Sequence, residues 1–358
     1  MPSLKEIKGR INSISSTLAI TSAMKMVAAA KLQKAQMAIQ NMLPYERRLH
    51  SMLIDLMGAM NISAAASEDG SVRGSGSAER GFDQSGDRLN LSNRHDLAGM
   101  DGAYSLMAQR EVRKVAIVAF ASNSSLCGAF NSNAIREATA VINEYRASGL
   151  GDADITVYSV GRKMAEAMKK LGFPSPADFT KMSDSPSYDA ASALAQELFD
   201  GFVSGRFDKV ELVYNHYKST SSQPTTRQTY LPLSLADATA DLQAGKITDS
   251  ASETDTNKVA EPVGAPVVRQ GSPTTEDLIV EPSKEALIAT LLPKVIRLRI
   301  FTTLLDSTAA EHAARTVAMQ LATDNGNDLL QELTLEYNKG RQQKITSEIL
   351  DLVGGSMQ

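Results

Sequence analysis

Ile7, Ile11, Ile14, Leu18, Thr21, Lys25, Ala28, Leu32, Ala35, Ile39, Met42 and Glu46 follow one another by alternating steps of four and three. Nine of these twelve positions are apolar, so one seam runs through more than five heptads. A seam of this length belongs to a coiled coil rather than to the short stripe of a globular helix. At 1.5 Å per residue a helix over residues 1–60 reaches about 90 Å, far beyond the width of a small domain. Helical spacing returns at the other end of the chain, through Leu287, Leu291, Val295 and Leu298, then Leu329, Leu333 and Tyr337, and last Ile345, Ile349 and Leu352. Two long helices at opposite chain ends can pair antiparallel only if whatever lies between them sits at one end of the pair. That shape is a shaft with a head. Pro44 and Pro293 fall inside these helices and are each expected to kink the helix or break its hydrogen-bond ladder locally.

Between the helices the pattern changes three times. Residues 61–109, with Gly70, Gly74, Gly76, Gly81 and Gly86 among many Ser, Asp and Asn, show no sustained period and read as a flexible insertion. Residues 236–277 read the same way. Residues 110–235 instead alternate strand and helix: strands at Val115–Phe120 and Ile155–Val160, helices at Asn131–Tyr145, Arg162–Leu171 and Tyr188–Val203, then two adjacent strands at Val210–Tyr217 and Thr226–Leu233. Such alternation implies a largely parallel sheet covered by helices, a Rossmann-like α/β domain. The expected fold is therefore α/β: an antiparallel coiled coil of helices 1–60 and 278–358 with a Rossmann-like middle domain. A length of 358 residues, at roughly 150 per domain, would have given two domains or a little more.

Composition narrows the chemistry. A single Cys rules out a disulfide framework and any multi-cysteine zinc site, and four scattered His make a histidine metal cage a poor expectation. No run reaches the ~18 consecutive apolar residues of a membrane helix. The N-terminus carries no apolar signal core, so the expected location is the cytoplasm. The net charge of −4 hides an asymmetry, because residues 1–50 hold eight Lys/Arg against two Glu, a net of +6. A basic end on an acidic chain points to an anionic partner, whether protein, nucleic acid or membrane.

Several residues invite a chemical reading. Cys127 lies between the first strand and first helix of the middle domain, where a thiol can be an activated nucleophile; the competing reading is a small buried residue in a tight turn beside Gly128. The same loop occupies the place where doubly wound sheets bind nucleotides, yet it carries neither Gly-x-Gly-x-x-Gly nor Gly-x-x-x-x-Gly-Lys-Ser/Thr. Glu311-His312 lacks the second His of a zinc-protease helix. The basic helix spreads its charges among apolar seam positions and holds one aromatic, Tyr45, which fits a solvated or protein-facing surface better than a nucleic-acid site. Two alternatives stand on these features, a Rossmann-like enzyme using Cys127 and a coiled-coil scaffold that binds nucleic acid. Met24 and Met26 flank Lys25 among small residues, and a lysine on the seam itself calls for an explanation.

Ile11-Asn-Ser-Ile14 and Ile20-Thr-Ser-Ala-Met-Lys-Met-Val-Ala-Ala-Ala-Lys31 resemble the opening helix of the gamma subunit of F-type ATP synthases. The other end is similar to the same family through Glu311-His-Ala-Ala-Arg-Thr-Val-Ala-Met319, Ala322-Thr-Asp-Asn325, Glu332-Leu-Thr-Leu-Glu-Tyr-Asn-Lys339 and Arg341-Gln-Gln-Lys-Ile-Thr-Ser-Glu348. The Leu126-Cys-Gly128 turn matches too. Departures are Gly355-Ser356 where the family usually ends Gly-Ala, and Asn123-Ser124-Ser125 before the turn where Asp-x-Gly is common. The resemblance implies a rotating central stalk without bond chemistry, cofactor or metal of its own. It would couple proton flow to the catalytic sites of the beta subunits, with alpha, beta, epsilon and the c-subunit ring as partners and no nucleic acid. Membrane association would come only through the complex, on the cytoplasmic side of a bacterial inner membrane. Carried over by motif, Met24, Lys25, Arg315, Arg341, Gln342, Thr346 and Glu348 are expected to contact the alpha/beta hexamer, with Lys25 facing an acidic lever loop of beta.

Overall fold

The N-terminal seam forms one helix, α1 (Leu4–Glu68), and the C-terminal pattern another, α6 (Lys284–Ser356). The computed structural model describes residues 3–68, 110–233 and 284–356. At 1.5 Å per residue the 65 and 73 residues of these helices span about 100 and 110 Å. They run antiparallel: Thr302 bonds Glu46, Ala309 and Ala313 pack on Leu32 and Ala35, Thr323 meets Thr21, and Gly326 and Gly340 face Leu18 and Leu4. All twelve seam positions of α1 are buried or half-buried, while Ile20, Met26, Val27 and Met37 point to solvent off the seam. Along α6 the inward positions are Met319, Thr323, Gly326, Leu330, Leu333, Tyr337 and Gly340, again stepping by four and three.

Neither proline breaks its helix. Both α1 and α6 are continuous through Pro44 and Pro293. A proline removes one donor and costs about 3 kcal/mol in a free helix. Here the flanking turns are held from outside, by Leu49 and Leu53 after Pro44 and by Leu292, Val295 and Ile296 around Pro293, all buried. Helix α1 also runs on past residue 60 to Glu68, so residues 61–68 of the expected insertion are helical. The remainder, 69–109, and the whole of 236–277 lie outside the described residues.

The head is a four-stranded sheet of β1 (Val115–Phe120), β2 (Ile155–Val160), β3 (Lys209–Asn215) and β4 (Thr225–Leu231), in the order β2-β1-β3-β4. Strand β1 pairs parallel with β2 and β3, while β4 runs antiparallel at the edge. Every residue of β1 is buried, as a central parallel strand covered on both faces requires. Alternation sorts its side chains. Val115, Ile117 and Ala119 meet α2 (Phe130–Ala147) and α3 (Arg162–Lys170); Ala116, Val118 and Phe120 meet α5 (Tyr188–Val203) and α6. Helix α3 packs through Met164 and Met168, one turn apart, and ends on Lys169 and Lys170, which suit its negative C-terminal dipole. Helix α5 starts where Ser187 Oγ accepts the Ala190 N–H. A five-residue helix, α4 (Thr180–Asp184), was not expected from the sequence.

The core under β1, β2 and β3 also contains Ile288, Leu292, Val295, Ile296, Leu298, Ile300 and Leu304 of α6 and Leu49, Leu53 and Leu56 of α1. The base of the shaft is thus one layer of the head. Tyr230 on β4 ties it further by donating its hydroxyl to the Ile296 carbonyl at 2.9 Å, wholly buried.

Gly326 tests the helix pairing. A Cβ there would come within 2.6 Å of Leu18 Cδ2. Gly326→Ile is expected to cost about 1–3 kcal/mol by overpacking. Adding Leu18→Ala should recover much of that, and a double-mutant cycle by denaturant unfolding checks the coupling.

Candidate functional site

Seven residues were expected to meet partner subunits, and the structure places them in three settings. Arg341, Gln342, Thr346 and Glu348 lie on the part of α6 that outruns the coiled coil. Because α1 begins at Leu4, opposite Gly340, every residue from 341 to 350 is exposed. Local bonds there run from Thr346 Oγ1 to the Gln342 carbonyl at 2.9 Å and from Lys344 to Glu348 at 3.7 Å. Ile345, Ile349, Leu350 and Leu352 are about half to three-quarters exposed on this tip, with 74% for Leu352. Among the described residues no second helix covers this end, and exposed apolar surface of this kind is what interaction sites carry.

Met24 and Lys25 sit on the flank of the shaft, half-buried. Lys25 Nζ donates to Gln320 Oε1 of α6 at 2.5 Å, and Gln320 Nε2 donates to both carboxylate oxygens of Asp324 at 2.8 and 2.9 Å. A seam lysine is therefore accommodated inside the chain by a polar rung across the two helices. Its neighbour Met26 is 63% exposed and faces outward.

Arg315 is set apart from the other six. Its guanidinium donates to Glu311 Oε1 at 2.6 Å and to Ser124 Oγ at 2.7 Å, and the residue is buried. Burial pushes the Glu311 carboxyl up, and Arg315 opposes that shift. The neighbouring His312 is pushed down to about 4 by burial and then by Arg315 and Lys31, so it is neutral at ordinary pH. This arginine therefore commits its donors within the chain, where α6 crosses the loop after β1.

That loop explains the Leu126-Cys127-Gly128 turn. Leu126 and Gly128 both have positive φ, 67° and 59°, so the chain doubles back tightly between them. Cys127 is 1% exposed; Asn131 Nδ2 donates to its sulfur at 3.2 Å and the thiol packs with Phe130 and Ala310. A thiol closed off in this way is the small buried turn residue of the two readings, which removes the basis for a Cys127 enzyme. Ala310, Ala314 and Ala318 of α6 form the seat of the turn. Ala309 and Ala313, one residue around the helix, face α1 instead.

The order β2-β1-β3 reverses the direction of winding between β1 and β3, and the crevice beyond their carboxyl ends is where doubly wound sheets hold ligands. Here α6 lies across it. Arg315 grips the loop after β1, and Asp306 grips the end of β3: its Oδ1 accepts the Tyr217 N–H at 2.9 Å and its Oδ2 lies 2.6 Å from His216 Nδ1. From the other helix, Gln36 Nε2 donates to the Tyr217 hydroxyl at 2.6 Å. Asp306, the pair His216-Tyr217 and Gln36 escaped the sequence reading because they come from three distant stretches with no shared motif. A second buried cluster, Glu211 with Arg227, Lys209 and Tyr145, belongs to the sheet edge. Burial pushes the Glu211 carboxyl up, and bonds from Arg227, Lys209 and Tyr145 hold it below its ordinary range. No helix among the described residues is long and apolar enough to cross a membrane, and no group of metal-ligating side chains occurs among them.

The geometry defines a class of protein: a two-helix shaft, one helix outrunning the other at the tip, rooted in a doubly wound α/β head. Comparison with known sequences agrees. A family model described as ATP synthase matches residues 3–357. The ATP synthase gamma chain of Phocaeicola vulgatus is 46% identical over 357 residues, covering 100% of both chains, and that of Bacteroides thetaiotaomicron is 45% identical over 358 residues with the same coverage. The chain belongs to the ATP synthase gamma-chain family, the central-stalk rotor subunits of the F-type enzymes. Among solved structures, the Euglena gracilis mitochondrial ATP synthase contains a chain with the same fold, at a TM-score of 0.52 and 19% identity, covering 99% of this chain and 93% of that one.

The Arg315 bond is testable. Arg315→Met strands Glu311 in a buried site and is expected to cost about 3 kcal/mol of stability. Combining it with Glu311→Leu should restore most of the loss, as read by thermal melting.

Proposed function

We propose that this chain turns as the central stalk of a proton-translocating ATP synthase. Its tip and upper shaft are enclosed by a hexamer of alternating alpha and beta subunits; its head lies toward epsilon and the c-subunit ring. It performs no bond chemistry. Attachment to the cytoplasmic face of a bacterial inner membrane comes only through these partners. Each shaft angle must favour different beta conformations, since a rotor with equal affinity for all of them would shift no equilibrium.

The observation that carries this reading is the single-helix tip. Among the described residues no helix pairs with α6 beyond Gly340, so the cross-section there is lopsided and each angle turns a different face outward. Arg341, Gln342, Thr346 and Glu348 supply polar contacts on that tip, among apolar side chains that the hexamer would cover. Met24 and Lys25 face the beta levers from the flank. Lys25 reaches them by exchanging its bond to Gln320 for one to an acidic loop, which a flexible ammonium on a four-carbon stem can do. In this arrangement Arg315 acts indirectly, by holding the loop of Ser124 against the shaft.

Ending the chain after Gly340 removes the tip and leaves the paired helices intact. ATP-driven proton pumping in vesicles carrying the assembled complex should fall by roughly fivefold or more per ATP hydrolysed, the lower range of a coupling between distant sites. Lys25→Glu should act in the same direction and more weakly. Full coupling with the tip absent would count against this reading.

A further inference from the structure

Residues 216 and 217 are the one stretch of the head that the described contacts tie to both shaft helices by side-chain hydrogen bonds. Asp306 of α6 accepts from the Tyr217 backbone and bonds His216, and Gln36 of α1 donates to the Tyr217 hydroxyl. The Tyr217 ring completes the junction. It packs both against Leu32, Ala35, Ala309 and Ala313 of the paired helices and against Cys127, Phe130 and Ala310 under the turn. The strand end is itself anchored, since His216 N–H donates to the Pro224 carbonyl and Asn215 Nδ2 to that of Phe130, at 2.9 and 3.1 Å. A twist of the head about the shaft would strain the bonds of Asp306 along with those of Arg315 and Tyr230.

We propose that Asp306 is a positioning residue for rotary coupling: through His216 and Tyr217 it sets the angle of the head on the shaft, and its grip is tighter when His216 carries a proton. The inference rests on the rotor reading for its effect on coupling, though not for the grip itself. The groups facing His216 are few. From α6 comes the Asp306 carboxylate, from its own loop Lys218, and from α1 the neutral Gln36 by way of Tyr217. The bond to Asp306 raises the pKa of His216 above its ordinary 6.5, against the opposing effects of burial and Lys218. Because the folded value is the higher one, the extra stabilisation is complete below about pH 6.5 and fades as pH rises through the folded value. The Tyr217 amide bond persists on both sides of that change, so the joint loosens without parting.

Two fixed-charge variants test this. His216→Lys keeps a cation at all relevant pH, and His216→Gln keeps none; the imidazole is half exposed, so both should fold. For the full chain alone, the melting advantage of wild type over His216→Gln should be greatest near about pH 6 and smaller near about pH 8. In the assembled complex, protons pumped per ATP hydrolysed by wild type should match His216→Lys at the lower pH. The ratio should fall about twofold below that variant at the higher pH, an effect the size of a half-exposed ion pair. Asp306→Asn should remove the pH-dependent difference between the three side chains at 216. Equal melting of wild type and His216→Gln at both pH values overturns the grip. A pH-dependent grip with identical coupling in all complexes overturns the positioning role. A chain that grips but never assembles with alpha and beta overturns the rotor reading instead.

Discussion

One helix serves two cores, and most of the structure follows from that. Between Ile288 and Leu304, α6 is a layer of the head, buried against β1, β3 and α5; from Ala309 to Gly340 it is half of a coiled coil with α1. No flexible linker separates the two roles. Torque applied to the head would reach the shaft through a continuous hydrogen-bonded helix and a close-packed interior, which transmit strain because they deform little. The crossover region, Ala309 to Ala318, has to face α1 and the Cys127 turn at once. Alanines at 309, 310, 313, 314 and 318 permit that, letting two other elements approach a single helix on adjacent faces.

The same geometry gives the α/β head an unusual use. A doubly wound sheet leaves a crevice where its winding reverses, and elsewhere such crevices receive ligands. In this chain α6 fills it, with Asp306 and Arg315 where a ligand's polar groups would otherwise lie. The buried Tyr230 bond to the Ile296 carbonyl anchors the joint on the far side. In this chain the edge where such a sheet would bind a ligand holds the shaft instead.

Much of this was legible in the sequence because it rests on periodicity. All twelve positions of the four-three seam lie inward on α1, and the apolar runs Val115–Phe120 and Ile155–Val160 are strands over those same residues. The misses have physical causes. Pro44 and Pro293 are not among them: each removes one ladder bond locally, while packing on either side keeps both helices continuous. Helix α1 outlasted its expected end because Ala64, Ala65 and Ala66 are strong helix formers after the apolar seam has run out. Helix α4 is too short to display a period. The expected partner residues on the C-terminal helix were read as one group, and only the structure shows that four of them lie past the end of the pairing. Arg315, in contrast, sits in the same helix as they do and differs only in what lies across from it. The Asp306 junction was invisible, because its four residues come from three distant stretches and carry no shared motif.

The central claim is that the whole chain turns as one body inside a hexamer. Its most direct test is to assemble the chain with alpha and beta subunits, immobilise the hexamer, attach a probe to the head, and watch it while ATP is hydrolysed. The account predicts sustained rotation in one direction that requires ATP and is lost when residues 341–358 are removed. A head that stays still while the hexamer hydrolyses ATP, or a chain that never enters the hexamer, would contradict it.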